Sequence, residues 1–198
     1  IIIMNYQELL VDASKQLKYY KFNSAKLDAE LILSKTLGLS REKILLNLNE
    51  KINDEVLEKF NYFLKLRKQN RPIAYILGFK DFWKYKFQVD KNVLIPRPET
   101  EIIIEQALKN LPKLSKKNIL DIGTGSGCII ISIIKERENC KATAIDKSLK
   151  ALKVAKLNAE MHQVQKKIKF LNIDVDKYFA NKYDLIAVSY THLRAHET

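Results

Sequence analysis

The residues most able to do chemistry stand together in one stretch. In Asp121-Ile-Gly123-Thr124-Gly125-Ser126-Gly127, glycines alternate with other residues behind a leading acid. Glycine lets a ligand approach the backbone closely and takes the left-handed torsions that a tight turn demands. Such a turn, between an apolar strand and an apolar helix, lies where parallel α/β sheets bind ligands, beyond the carboxyl ends of their strands. The dinucleotide fingerprint requires glycine at its first, third and sixth positions. Counted from Gly123 the sixth is Cys128, so a nicotinamide nucleotide fits poorly. A second carboxylate, Asp146, ends the next strand 23 residues beyond Gly123, where it can accept hydrogen bonds from both hydroxyls of a ribose. Asp174 ends the third strand, near the expected place of a base. Together these residues point to a nucleoside cofactor. The plainer alternatives are a structural turn for the glycines and cap or turn roles for Asp146 and Asp174.

Other reactive side chains offer less. His192 and His196 have the i, i+4 spacing of a helical metal pair but no third ligand, and no metal site is expected. Cys128 and Cys140 belong to no CxxC or metal pattern and read as buried thiols of a reducing compartment, the cytoplasm. Asp28 and Glu30, on a helix beside lysine and alanine, are expected as surface charges.

The elements that must position the glycine loop follow from periodicity. From Tyr6 to about Gln69, without a proline, apolar residues recur every three or four positions, as in Leu27 and Leu31 or Leu45 and Leu48, which predicts a small helical bundle. Ser24, Ser40 and Asn53 or Asp54 are its expected N-terminal caps, and Gly38 closes a helix. After Arg71-Pro72 the strict alternation of Trp83, Tyr85, Phe87 and Val89 predicts a strand, part of a β-hairpin linker. Pro98, Glu99 and Glu101 suit the first turn of a helix running to Leu108–Leu111. Strands at 118–122, 142–146, 168–172 and 183–188, with helices at 127–136 and 149–161, predict a parallel, doubly wound α/β sheet. The expected organisation is a helical domain over 1–72, a hairpin linker over 73–98, a cofactor-binding domain over 99–187 and a separate tail over 188–198.

Composition narrows the class further. The 198 residues carry a formal charge of +12, but only six of the 35 basic residues are arginine, the type favoured for bidentate phosphate recognition. A lysine-rich solvated surface with at most a weak attraction for nucleic acid is the expectation. No apolar run approaches the roughly 20 residues of a membrane-spanning helix, so no membrane partner is expected.

Set together, Arg71-Pro-Ile-Ala-Tyr75-Ile-Leu-Gly78, Phe82-Trp83, Leu94-Ile-Pro96-Arg-Pro-Glu-Thr100-Glu101 and Asp121 to Gly127 closely resemble the release-factor glutamine methyltransferases, PrmC or HemK. Glycine at the first, third and fifth positions also resembles the S-adenosylmethionine loop of class I methyltransferases generally. The resemblance implies a helical domain that helps seat a peptide chain release factor, and a domain that methylates the side-chain amide nitrogen of the Gly-Gly-Gln glutamine. It implies that Gly123, Thr124, Gly125, Ser126, Gly127, Asp146 and Asp174 hold S-adenosyl-L-methionine, and that Pro96 to Thr100 line the site. Relatives often carry an aromatic residue after Asp174; here it is Val175.

The family follows the strand Tyr183-Asp-Leu-Ile with an Asn-Pro-Pro-Tyr loop whose acceptors hold the substrate amide. This chain instead reads Val188-Ser-Tyr-Thr-His-Leu-Arg-Ala-His-Glu-Thr198. The expectation is therefore a reading frame truncated after Ala187, with no catalytic residue present, Ser189 and Tyr190 included, and negligible turnover. A ribosomal-protein glutamine methyltransferase, an N6-adenine methyltransferase and an inactive S-adenosylmethionine-binding fragment are the alternatives.

Overall fold

The computed structural model describes residues 4–179 and 182–188. The chain divides into two compact units, Ile1–Leu77 and Gly78–Thr198, each with its own core.

The first unit is helical: α1 (Tyr6–Tyr19), α2 (Ala25–Leu37), α3 (Arg41–Leu46), α4 (Asp54–Lys68) and α5 (Ile73–Leu77). Its helix ends follow their capping chemistry. Asn5 and Glu8 form a reciprocal capping box on α1, Ser40 accepts from Lys43 N–H and Asn53 from Val56 N–H. Gly38 ends α2 in the left-handed conformation at φ 66°, whereas Ser24 makes no side-chain cap. The core is built on Leu9, Leu17, Ile32, Leu33, Ile44 and Phe60. Leu27 is exposed because α2 turns Ala25, Ala29, Ile32 and Leu33 inward instead, and Leu45 because α3 turns Ile44 inward.

The expectation of surface charge at Asp28 and Glu30 is overturned. Both are buried, at 1% and 2% exposure, and each is paired: Asp28 Oδ2 accepts from Arg67 Nε at 2.7 Å, Glu30 Oε2 from Arg41 Nε at 2.6 Å. The Arg67 guanidinium also lies 3.8 Å from the Phe22 ring centroid. Local spacing cannot show such pairing, since the arginine partners come from α4 and the start of α3.

The second unit opens with a hairpin of β1 (Phe79–Phe82) and β2 (Tyr85–Gln88), paired antiparallel. Trp83 belongs to the turn, with φ 56°, and not to the strand expected through it. The turn is held from two sides. Glu101 accepts Trp83 N–H at 2.7 Å, while Glu136 accepts from Trp83 Nε1, Lys84 Nζ and Tyr85 Oη. Phe82 and Phe87 point into the core of this unit.

A four-stranded, all-parallel sheet follows, in the order β5 (Ile168–Asn172), β4 (Lys141–Asp146), β3 (Asn118–Ile122) and β6 (Leu185–Val188). α6 (Glu101–Asn110), α7 (Cys128–Glu136) and α8 (Leu149–Met161) complete the alternation expected from the periodicity. In α7 every residue from Cys128 to Ile134 is buried, as its all-round apolar surface requires. The buried Arg137 at its end donates to the Leu108 and Leu111 carbonyls, satisfying the C-terminal end of α6.

Among the described residues no helix is long and apolar enough to cross a membrane. Residues 189–198, including Ser189, Tyr190, His192 and His196, lie outside the described residues, as does any pairing at those positions.

Candidate functional site

The glycine loop joins the end of β3 to the start of α7, and backbone bonds tie it to the neighbouring strand. Gly123 N–H and Thr124 N–H both donate to the Ile145 carbonyl, at 2.9 and 3.1 Å. Gly123, Gly125 and Gly127 have φ of 71°, 55° and 79°, torsions costly for any residue with a Cβ. The three glycines serve different ends. A Cβ on Gly127 would lie 2.9 Å from Ile131 Cδ1 and 3.3 Å from Ala155 Cβ, so this glycine lets α8 close on the loop. A Cβ on Gly125 would meet only the Gly123 carbonyl oxygen, at 3.9 Å, so the backbone there is open to a ligand.

Asp146 lies beside this opening, as its position at the end of β4 predicts. Its Oδ2 accepts Gly125 N–H at 2.9 Å and its Oδ1 accepts Ser148 N–H at 2.8 Å. The carboxylate thus braces both the loop and the entry to α8, and each oxygen retains a lone pair for a further donor. Ser148, not Asp146, caps α8, by accepting Ala151 N–H. Thr124 and Ser126 are both buried; Thr124 Oγ1 donates to Asp121 Oδ2 at 2.6 Å. Asp174 is not drawn into this network. It is exposed and caps a short 3-10 turn, accepting Asp176 N–H at 3.3 Å.

Asp121, which leads the motif, is the least ordinary group. It is fully buried, and among the described residues its Oδ1 has no hydrogen-bond partner. Burial pushes its pKa up from 3.8 to about 7, against the Thr124 hydroxyl bond and with the Asp146 charge adding to the rise. Burial likewise lifts the Cys128 thiol to about 12, which removes it as a nucleophile at neutral pH.

Two residues of this region are not evident from motif spacing. Asn172 Nδ2 donates to the Asp146 and Lys147 carbonyls, both at 3.0 Å, fixing the turn after β4. Asn158, buried on α8, donates to the Ser126 carbonyl at 2.8 Å. A polar amide on the face shared by Ala151, Ala155 and Ala159 is the signal that marks it in the sequence. A separate recess of about 330 Å³, lined by Lys141, Lys166, Lys167 and Lys169, lies at the opposite, amino ends of the strands. Among the described residues no cluster of histidine, cysteine, aspartate or glutamate could hold a metal.

Comparison with known proteins bears on both units. The PrmC N-terminal domain matches residues 8–78 and the methyltransferase small domain residues 100–189. A release factor glutamine methyltransferase of Coxiella burnetii is 39% identical over 163 residues, covering 82% of this chain and 58% of that protein. Its counterpart in Chlorobaculum tepidum is 40% identical over 159 residues, covering 78% and 54%. A bifunctional methyltransferase of Rickettsia typhi is 34% identical over 199 residues, 91% of this chain and 38% of that protein. The chain thus spans somewhat over half the length of the first two relatives. With a PrmC N-terminal domain ahead of a methyltransferase domain, the chain belongs to the release factor glutamine methyltransferase family.

Proposed function

We propose that the chain binds S-adenosyl-L-methionine at the glycine loop and serves methylation of the side-chain amide nitrogen of the Gly-Gly-Gln glutamine in peptide chain release factors. One observation carries the cofactor assignment: a buried carboxyl oxygen without a partner, on Asp121, stands behind a loop whose Gly125 backbone is open and whose Asp146 keeps lone pairs free. These residues fit the group. The paired hydroxyls of a ribose suit Asp146, a cationic amino group suits Asp121, and nothing in the loop calls for a phosphate. Gly123 to Gly127 would hold the cofactor from below, and Asp174 would bound the base through its free oxygen.

When bound, the cofactor supplies an electrophilic methyl group. The protein's part is to orient it and to hold the amide opposite. An amide nitrogen is a poor nucleophile because its lone pair is delocalised into the carbonyl, so acceptors placed on both N–H protons are needed to direct it. The Asn-Pro-Pro-Tyr sequence that supplies them in the family is absent after Ala187. These 198 residues carry the cofactor loop without those acceptors, which keeps an inactive cofactor-binding protein as the second reading. Residues 1–72 seat the release factor, 73–98 join them to the methyltransferase domain at 99–187, and the setting is cytoplasmic.

Titration calorimetry with S-adenosylhomocysteine tests the cofactor assignment: saturable heat is expected, and none with NAD. Extending the protein to its relatives' length and supplying labelled cofactor with a release factor tests the substrate. Label is expected on the Gly-Gly-Gln glutamine; label on DNA or on a ribosomal protein instead overturns that assignment.

A further inference from the structure

Asn158 is fully buried, and its hydrogen-bonding groups are committed to the backbone. Its Oδ1 accepts Gln88 N–H at 2.7 Å, and its Nδ2 donates to the Gln88 carbonyl at 2.9 Å and to the Ser126 carbonyl at 2.8 Å. Only one orientation of the amide satisfies a donor on one side and two carbonyls on the other.

The bond to Ser126 falls at the most pliable point of the glycine loop. The Ser126 carbonyl and the Gly127 N–H belong to one planar peptide unit. Asn158 holds its oxygen, and the Thr124 carbonyl accepts its N–H at 2.8 Å. Glycines at φ 55° and 79° stand on either side of Ser126, and glycine torsions offer little resistance to rotation. A peptide flanked by soft torsions takes its orientation from whatever grips its two ends. The other arm of Asn158 grips Gln88, the last residue of β2, from which the chain runs on to Pro96–Thr100.

We propose that Asn158 is a positioning residue: it orients the Ser126–Gly127 peptide and so holds the cofactor loop in register with the hairpin and the segment leaving it. The inference rests on the cofactor reading given above. The competing explanation is that Asn158 merely fastens α8 to the hairpin. His162, the C-terminal cap of α8 four residues on, separates the two. Its Nε2 donates to the Lys86 carbonyl at 2.8 Å, and its ring lies 4.9 Å from that of Phe87 and 5.6 Å from that of Tyr85. It fastens the same strand, and its contacts stop short of the loop.

The test is S-adenosylhomocysteine titration of the 198-residue chain, of Asn158→Ala and of His162→Ala, with amide hydrogen exchange at Gly127 measured on the unliganded proteins. Asn158→Ala is expected to raise the dissociation constant about tenfold or more, the effect of losing one well-placed hydrogen bond. Gly127 N–H should exchange faster in that variant alone, and His162→Ala should bind within about twofold of the parent. Asn158→Asp keeps an acceptor for Gln88 N–H and loses the donations to the Ser126 and Gln88 carbonyls. It is expected to weaken binding likewise and replaces the alanine variant should that one not fold. Binding unchanged in the Asn158 variants, or weakened equally by His162→Ala, overturns the inference and leaves the cofactor assignment standing. Absence of heat from the parent overturns the cofactor assignment and this inference with it.

Discussion

Replacing Asp121 by asparagine should change the way folding stability depends on pH, and the size of the change follows from the burial of its carboxyl. Burial, opposed by the Thr124 hydroxyl and reinforced by the Asp146 charge, raises that carboxyl from 3.8 to about 7. In the unfolded chain it titrates near its ordinary value. Between these limits the native state keeps a proton that the unfolded state has released, so stability falls as pH rises, and the full cost is present above pH 7. From pH 5 upward, about two pH units of that window remain, each worth about 1.4 kcal/mol, or about 3 kcal/mol in all. Asparagine keeps an oxygen for the Thr124 hydroxyl and never ionises. Urea melts of the chain and of Asp121→Asn at pH 5 and pH 8 should therefore show the stability difference shifting by about 3 kcal/mol in favour of the variant. The other carboxylates titrate in both proteins and cancel in the comparison. A difference constant to within about 1 kcal/mol, or one that moves toward the parent, refutes the neutral buried acid. Saturating S-adenosylhomocysteine, by bringing a cation to Asp121, should shrink the shift.

Asp146→Ala removes the acceptor for Gly125 N–H and Ser148 N–H and is expected to weaken S-adenosylhomocysteine binding by roughly 1–3 kcal/mol; an unchanged dissociation constant removes Asp146 from the site. Gly127→Ala combines a left-handed φ with a 2.9 Å approach to Ile131 and should lower unfolding free energy by about 1–3 kcal/mol, read from denaturant midpoints. Gly125→Ala meets only the Gly123 carbonyl oxygen, at an unstrained 3.9 Å, so its stability loss should be nearer about 1 kcal/mol while ligand binding suffers more; the opposite ranking of the two glycines would contradict the roles given them. Arg67→Ala strands the buried Asp28 carboxylate and should cost about 3–5 kcal/mol, and a thermal or urea melt showing under about 1 kcal/mol would mean that the pair contributes little.

Much of this molecule is legible along the chain because the controlling interactions are local. Helix caps at Ser40, Asn53 and Gly38 involve groups at most a few residues apart, and the strand and helix periods of residues 118–172 follow from which face of each element is buried. The glycine loop is legible for the same reason: left-handed torsions after an apolar strand admit few residue types. The hairpin turn was misplaced by alternation alone. Trp83 continues the apolar pattern, yet the bonds that set it in a turn come from Glu101 and Glu136, distant in the chain.

What the sequence determined by itself, then, is the order of elements, the parallel sheet and the position of the loop with its carboxylates. Tertiary structure decided which polar groups lose water and who answers them. Asp28 and Glu30 are inside because arginines from other helical segments meet them there, Asp121 is held near neutrality by burial, and Asn158 reaches both Gln88 and Ser126. Desolvation and long-range pairing depend on neighbours far along the chain, and no local spacing records them.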